Sequence, residues 1–153
     1  MTNNEVLRSV RYALQIKNKE VLQMIEAGGV ELTIFDVVNL LRDDAEDEYL
    51  GCNAKTLHAF LDGLILQRRG PSDGPVKKFS TSKIDNNTIL RKLRIAFAMR
   101  DTDLLATIEG VGLHISKGEV SALFRAPTHK HFKECGDQFL RNFLKGLTLR
   151  FRP

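Results

Sequence analysis

The chain has 153 residues, 42% hydrophobic and 27% charged, with a formal net charge of +4. That balance belongs to a folded globular protein and excludes a low-complexity chain, and no apolar run approaches the roughly 20 residues of a membrane span. Charges threaded through MTNNEVLRSVRYALQ exclude a secretory signal, so the two cysteines are expected as free thiols in a reducing cytosol.

The first predicted element is a helix over residues 4–17, where Val6, Val10, Ala13 and Leu14 recur at helical spacing and Asn3 or Asn4 is placed to cap it. A shorter helix over 19–27 stops at Gly28-Gly29, where positive φ is cheap. The third helix opens at Thr33-x-x-Asp36, the pattern of a capping box. Residues 43–48, DDAEDE, lack the spaced ligands and central glycine of a calcium loop, so they read as a solvated acidic connector. The fourth helix, over 53–67, buries Leu57, Phe60, Leu61 and Leu64. Residues 71–85, PSDGPVKKFSTSKID, have the proline, glycine and hydroxyl content of a linker.

Residues 86–153 then repeat residues 3–70 at a constant offset of 83 without a gap. Asn3-Asn4 falls on Asn86-Asn87, and Leu7, Arg8, Arg11 and Ala13 fall on Leu90, Arg91, Arg94 and Ala96. Ile25, Glu26 and Gly29 match Ile108, Glu109 and Gly112, while Val37, Leu40 and Arg42 match Val120, Leu123 and Arg125. Cys52 matches Cys135, and Leu57, Phe60, Leu61, Gly63, Leu64 and Leu66 match Leu140, Phe143, Leu144, Gly146, Leu147 and Leu149. Ser116-x-x-Glu119 repeats the capping pattern. No stretch alternates with period two. The expected fold is all-α: two tandem four-helix units, 1–70 and 86–153, joined by a linker over 71–85 and packed with pseudo-twofold symmetry. First helices facing each other, or fourth helices doing so, is the simplest docking.

The doubled pattern NNxxLRxxRxAL, a glycine-closed second helix and a CxxxxLxxFLxGL fourth helix resemble the YehS-like family of small bacterial proteins. The resemblance covers residues 3–153, and the first copy is the less typical, with Asn53-Ala54-Lys55 where the second has Gly136-Asp137-Gln138. It implies a bacterial cytosolic protein and no established activity, so no catalytic residue is carried over.

Charge separates the copies. Residues 1–70 hold 8 Lys/Arg against 11 Asp/Glu, whereas residues 86–153 hold 12 against 6. A basic unit of this kind is suited to nucleic acid, because bound cations release counterions from the phosphate backbone. The candidate contacts are Arg91, Lys92, Arg94, Lys130, Lys133, Arg141, Lys145, Arg150 and Arg152. No helix-turn-helix, zinc-finger or RNA-binding signature accompanies them, and no aromatic stacking platform is visible. The alternative is an adaptor or regulator in which acidic and basic units attract a protein partner or a second copy of the chain. Arg8 and Arg11, repeated as Arg91 and Arg94, read as structural partners of the chain's own carboxylates, with Glu26 and Glu109 the candidates.

Catalytic signals are weak. Cys52 and Cys135 start helices, where a thiol can become reactive, but small cysteines there are more commonly packing residues. His129, His131 and Cys135 lack a fourth ligand and zinc spacing, so no metal is expected. His58 reads as an ordinary surface histidine. No phosphate-binding loop, dinucleotide fingerprint or nucleophile elbow is present. The expectation is a non-catalytic binding protein without a cofactor.

Overall fold

In the computed structural model, residues 1–71 and 83–152 are described, so the linker expected over 71–85 lies mostly outside the described residues. Helices α1 (Asn3–Leu14), α2 (Asn18–Ala27), α3 (Ile34–Leu40) and α4 (Ala54–Arg69) make the first unit. Helices α5 (Asn86–Ala96), α6 (Asp101–Glu109), α7 (Lys117–Leu123) and α8 (Asp137–Phe151) make the second, and no strand occurs among the described residues.

The asparagine pair does something other than cap. Thr2 and Asp85 are the N-caps, accepting from the backbone N–H groups of Glu5 and Thr88. Asn4, the second residue of α1, donates to the carbonyls of Leu40 and Leu50 at 3.0 and 2.8 Å and accepts from the Cys52 N–H at 2.8 Å. Asn87 repeats this on Leu123, Lys133 and Cys135 at 3.0, 2.9 and 2.8 Å. Asn3 and Asn86 donate to the carbonyls of Cys52 and Cys135, each at 3.0 Å. The motif therefore staples the long third connector to the first helix, supplying partners that buried loop backbone cannot draw from water.

Both first helices also end sooner than periodicity predicts. Gln15 turns left-handed at φ 55° and Ala98, its duplicate, at φ 50°. Neither residue type favours that conformation, so the surrounding packing imposes it at the same place twice. At the second helix the glycine reading holds: Gly29 and Gly112 have φ of 99° and 82°. Thr33 and Asp36 bond reciprocally as a capping box, while in the other unit Ser116 accepts from the Glu119 N–H.

Each fourth helix crosses its second helix at backbone contact. A Cβ on Gly63 would sit 1.8 Å from the Met24 carbonyl oxygen, and one on Gly146 would sit 2.4 Å from the Thr107 carbonyl oxygen. That is why a glycine stands in the middle of a helix at both positions. Duplicate pairs such as Phe60/Phe143, Leu7/Leu90, Leu57/Leu140 and Ile25/Ile108 are fully buried and belong to one continuous core.

The units dock differently from the simplest expectation. First does not face first: α1 packs against α8 and α5 packs against α4, the two contacts being related by the pseudo-twofold. Helices α1 and α8 run the same way, since the Met1 amino group meets Asp137 at one end and Arg152 covers Tyr12 at the other. So do α4 and α5, with His58 beside Lys92 and Arg68 over Phe97 further along. Phe97 and Phe151, 5.0 Å apart, join the C-terminal ends of α5 and α8. With these dipoles aligned, negative potential gathers at the C-terminal ends, where Arg11, Arg68, Arg69, Arg94 and Arg150 stand in the last turns. Part of the chain's basic character is thus a requirement of the fold.

Candidate functional site

The pseudo-twofold gives the molecule two equivalent seams, and the duplication places known residue pairs in each. In the α4–α5 seam stand His58, Asp62 and Lys92; the same positions in the α1–α8 seam are Arg141, Lys145 and Ser9.

At mid-length the α4–α5 seam is filled, while clefts of about 510 and 450 Å³ lie towards its C-terminal and N-terminal ends. Lys92 is buried, and its ammonium donates to Asp62 at 2.6 Å and to His58 Nδ1 at 3.0 Å. With the ring proton on Nε2, His58 donates in turn to the Lys83 carbonyl at 3.1 Å. Two sequence expectations change here. Lys92 does not lie on an exposed basic face, because α5 packs that side against α4. His58 is buried rather than on the surface, for the same reason.

The α1–α8 seam is open. Replacing the long Lys92 by Ser9 and the carboxylate of Asp62 by the ammonium of Lys145 removes both the filler and its counter-charge. What remains is a cleft of about 440 Å³ between the stripe Glu5, Arg8, Ser9, Tyr12 on α1 and the stripe Arg141, Leu144, Lys145, Thr148 on α8. Each stripe follows i, i+3, i+4, i+7 spacing, so each is one helix face. Arg8 is held by donation to the Arg42 carbonyl at 2.8 Å, and its charge reaches Asp43 in the acidic connector, whose carboxyl is held below its usual range first by the Ala45 N–H. Lys145 is exposed and has no hydrogen-bond or ion-pair partner among the described residues. Arg141 stands 3.9 Å from Glu5, a loose exposed pair worth little in water. At the N-terminal end, Asp137 accepts from the Met1 amino group and from Asn86, each at 2.8 Å, which lowers its carboxyl from the ordinary range.

The other predicted contacts scatter. Arg94 donates to Asp101 and to the Met99 carbonyl and stacks on Phe124, so its partner is the aspartate that opens the next helix rather than Glu109. Glu109 lies instead 3.8 Å from His114, and Glu26 is exposed. Lys133 pairs with Glu119 at 3.5 Å and Arg150 with Asp103 at 3.6 Å. Arg91 is half-buried on α5, and Lys130 is exposed in the loop before α8. Arg141, Lys145 and Arg152 alone of the set reach the α1–α8 seam, where Arg8 and Arg11 of the acidic unit join them. Arg152 lies 4.0 Å over the Tyr12 ring and donates to the Tyr12 carbonyl at 3.1 Å.

Neither cysteine is poised for chemistry. Burial pushes the Cys52 thiol up to about 12, and burial with the nearby Asp137 and Asp85 charges pushes Cys135 up to about 12. Among the described residues no three His, Cys, Asp or Glu side chains gather where they could hold a metal ion. His129 and His131 face each other in an exposed loop while Cys135 is buried away from solvent. Residues 43–48 are exposed, as a solvated connector should be. No helix among the described residues is long and apolar enough to cross a membrane.

Fold and seams together define a duplicated all-helical protein whose two junctions differ at mid-length, one filled by a neutralised lysine and the other a cationic cleft. The chain belongs to the family described as "Protein of unknown function (DUF1456)", whose model matches it twice, at residues 3–70 and 86–152. It is 41% identical over 150 residues to the "Uncharacterized protein YehS" of Escherichia coli (strain K12), a match spanning 98% of this chain and 96% of that relative. No solved structure matches it.

Proposed function

We propose that the protein is a non-catalytic binding protein that contacts the phosphate backbone of nucleic acid at the α1–α8 cleft. One observation carries this reading: Arg8, Arg141 and Lys145 converge on an open cleft at the place where the duplicate seam is filled and neutralised by Lys92 and Asp62. Cations that face solvent with only the loose Glu5 pair beside them suit a polyanion, whose counterions they displace. The basic surface differs from the one expected from charge totals, since both units contribute to it.

Mobility shift against mixed RNA and DNA across a salt series tests the proposal. With about three phosphates engaged, log K should fall with log salt at a slope of about −2 to −3. Arg141→Gln with Lys145→Gln should remove about two-thirds of that slope and leave helicity unchanged. A salt-insensitive interaction, or none at micromolar protein, would sink the reading.

A protein partner remains the second reading because of one feature of the first unit. Phe35 is 76% exposed at the start of α3 beside Ile34, and their duplicates are Lys117 and Gly118. An exposed aromatic on the acidic unit is a surface suited to a protein partner.

A further inference from the structure

Tyr12 stands between two clefts, and the second has the same electrostatic character as the first. About 540 Å³ in size, it is lined by Arg11, Lys17, Asn18, Lys19 and Arg152 along with Tyr12 itself. Comparison of the units shows why it is open. In the second unit Arg94 is satisfied by Asp101 at 2.8 Å and by the Met99 carbonyl at 3.0 Å. In the first unit the aspartate is replaced by Asn18, and both Arg11 Nε and Asn18 Oδ1 are buried without a partner among the described residues. The arginine has kept its place and lost its anion. An amide can present either its oxygen or its NH2 group by turning over, so this pair can offer donors to one acceptor.

Tyr12 itself is 55% exposed, and its duplicate Ile95 has neither a ring nor a cation above it. From Glu5 to Gln15 the face of α1 therefore runs cationic cleft, aromatic ring, cationic cleft, over on the order of 15 Å at 1.5 Å per residue. This alternation matches one nucleic-acid strand, with phosphates on either side and a base on the ring. It does not match a duplex, whose bases stay stacked and whose grooves are entered by a protruding element rather than received in a cleft between helices. Resting on the proposed function, we infer that the α1–α8 seam binds single-stranded nucleic acid, with phosphates held at the Arg8/Lys145 and Arg11/Arg152 clefts and a base stacked on the face of Tyr12 opposite Arg152.

The chain has two tyrosines and no tryptophan, so Tyr49→Phe leaves Tyr12 as its sole fluorescent reporter. In that background, binding is measured to a short single-stranded oligonucleotide, to the same sequence as a duplex, and to inorganic polyphosphate. The strand should bind about tenfold more tightly than the duplex and quench Tyr12 emission, while polyphosphate should bind without quenching. In the otherwise unmodified chain, Tyr12→Ile installs the residue of the duplicate position. It should weaken strand binding about tenfold and leave polyphosphate binding unchanged, whereas Tyr12→Phe should keep strand affinity. Equal affinity for strand and duplex, an unquenched tyrosine, or a silent Tyr12→Ile would overturn the single-strand assignment while leaving the phosphate-binding proposal standing. Failure to bind any of the three ligands would remove both.

Discussion

The two seams are built on one backbone plan yet treat charge in opposite ways. Between α4 and α5 the chain places a buried lysine and histidine and a partly exposed aspartate that satisfy each other. Between α1 and α8 the same positions carry a serine, a lysine and an arginine that cannot. A buried ion pair of the first kind contributes little net stability over a hydrophobic contact, but removing one partner is costly. Both seams join the units, but only the α4–α5 seam pairs its central charges internally.

The largest effect should come from the feature the units share most closely. Gly63→Ala drives a Cβ into the Met24 backbone, and Gly146→Ala does the same at Thr107 with slightly more room. Each should cost about 3 kcal/mol or more in chemical denaturation, Gly63 the larger. Equal or negligible costs would mean the two helix crossings are not as drawn.

Next come the staples. Asn4→Ala and Asn87→Ala each strand two carbonyls and one N–H in the connector. Each should destabilise by about 2–3 kcal/mol, and the two values should agree to within about 1 kcal/mol. A large disparity would show that the units do not bear their connectors alike.

Exchanging the seams is the sharpest comparison. Lys92→Ser opens the α4–α5 seam and should cost about 2 kcal/mol, since Asp62 is partly exposed and can be rehydrated. The converse double change, Ser9→Lys with Lys145→Asp, should close the α1–α8 cleft and lower polyanion affinity at least about tenfold, from lost charge as well as lost space. Unchanged affinity in that variant would separate binding from the cleft.

The thiols should behave as a matched pair. Because both are pushed from an ordinary 9.0 to about 12, a disulfide reagent at about pH 8 should modify them only as the chain opens. The sign follows from linkage: the folded state keeps protons that unfolded thiols lose, so stability is fully present below about pH 9 and falls as pH rises toward 12. Prompt reaction of Cys135 alone would mark the second connector as the looser. The smallest effect is at the left-handed turns: Ala98→Gly should stabilise by about 0.5 kcal/mol, read as a rise of a few degrees or less in Tm.

Much was legible before any coordinates. Apolar spacing placed the first and fourth helices of the unit, glycine and capping signals placed the second and third, and the constant offset of 83 carried all four onto the second copy. The helix glycines were visible as identities, although only the backbone contact explains Gly63 and Gly146. Asn4 and Asn87 were visible too but taken for caps, since their partners lie 36 to 48 residues away. Lys92 and His58 were misjudged for one reason: each faces the other unit, and a single helix does not say which of its sides a neighbour will cover.

By itself, the amino-acid order determined the repeated unit, its helices and its apolar interior, because these depend on spacing within a few turns. Tertiary structure decided that first helices meet fourth helices and that one seam is filled at mid-length where its twin holds a cationic cleft. It also decided that cations from an acidic unit and a basic unit share a cleft. Those outcomes depend on which side chains from distant stretches come face to face, and sequence spacing carries no term for that.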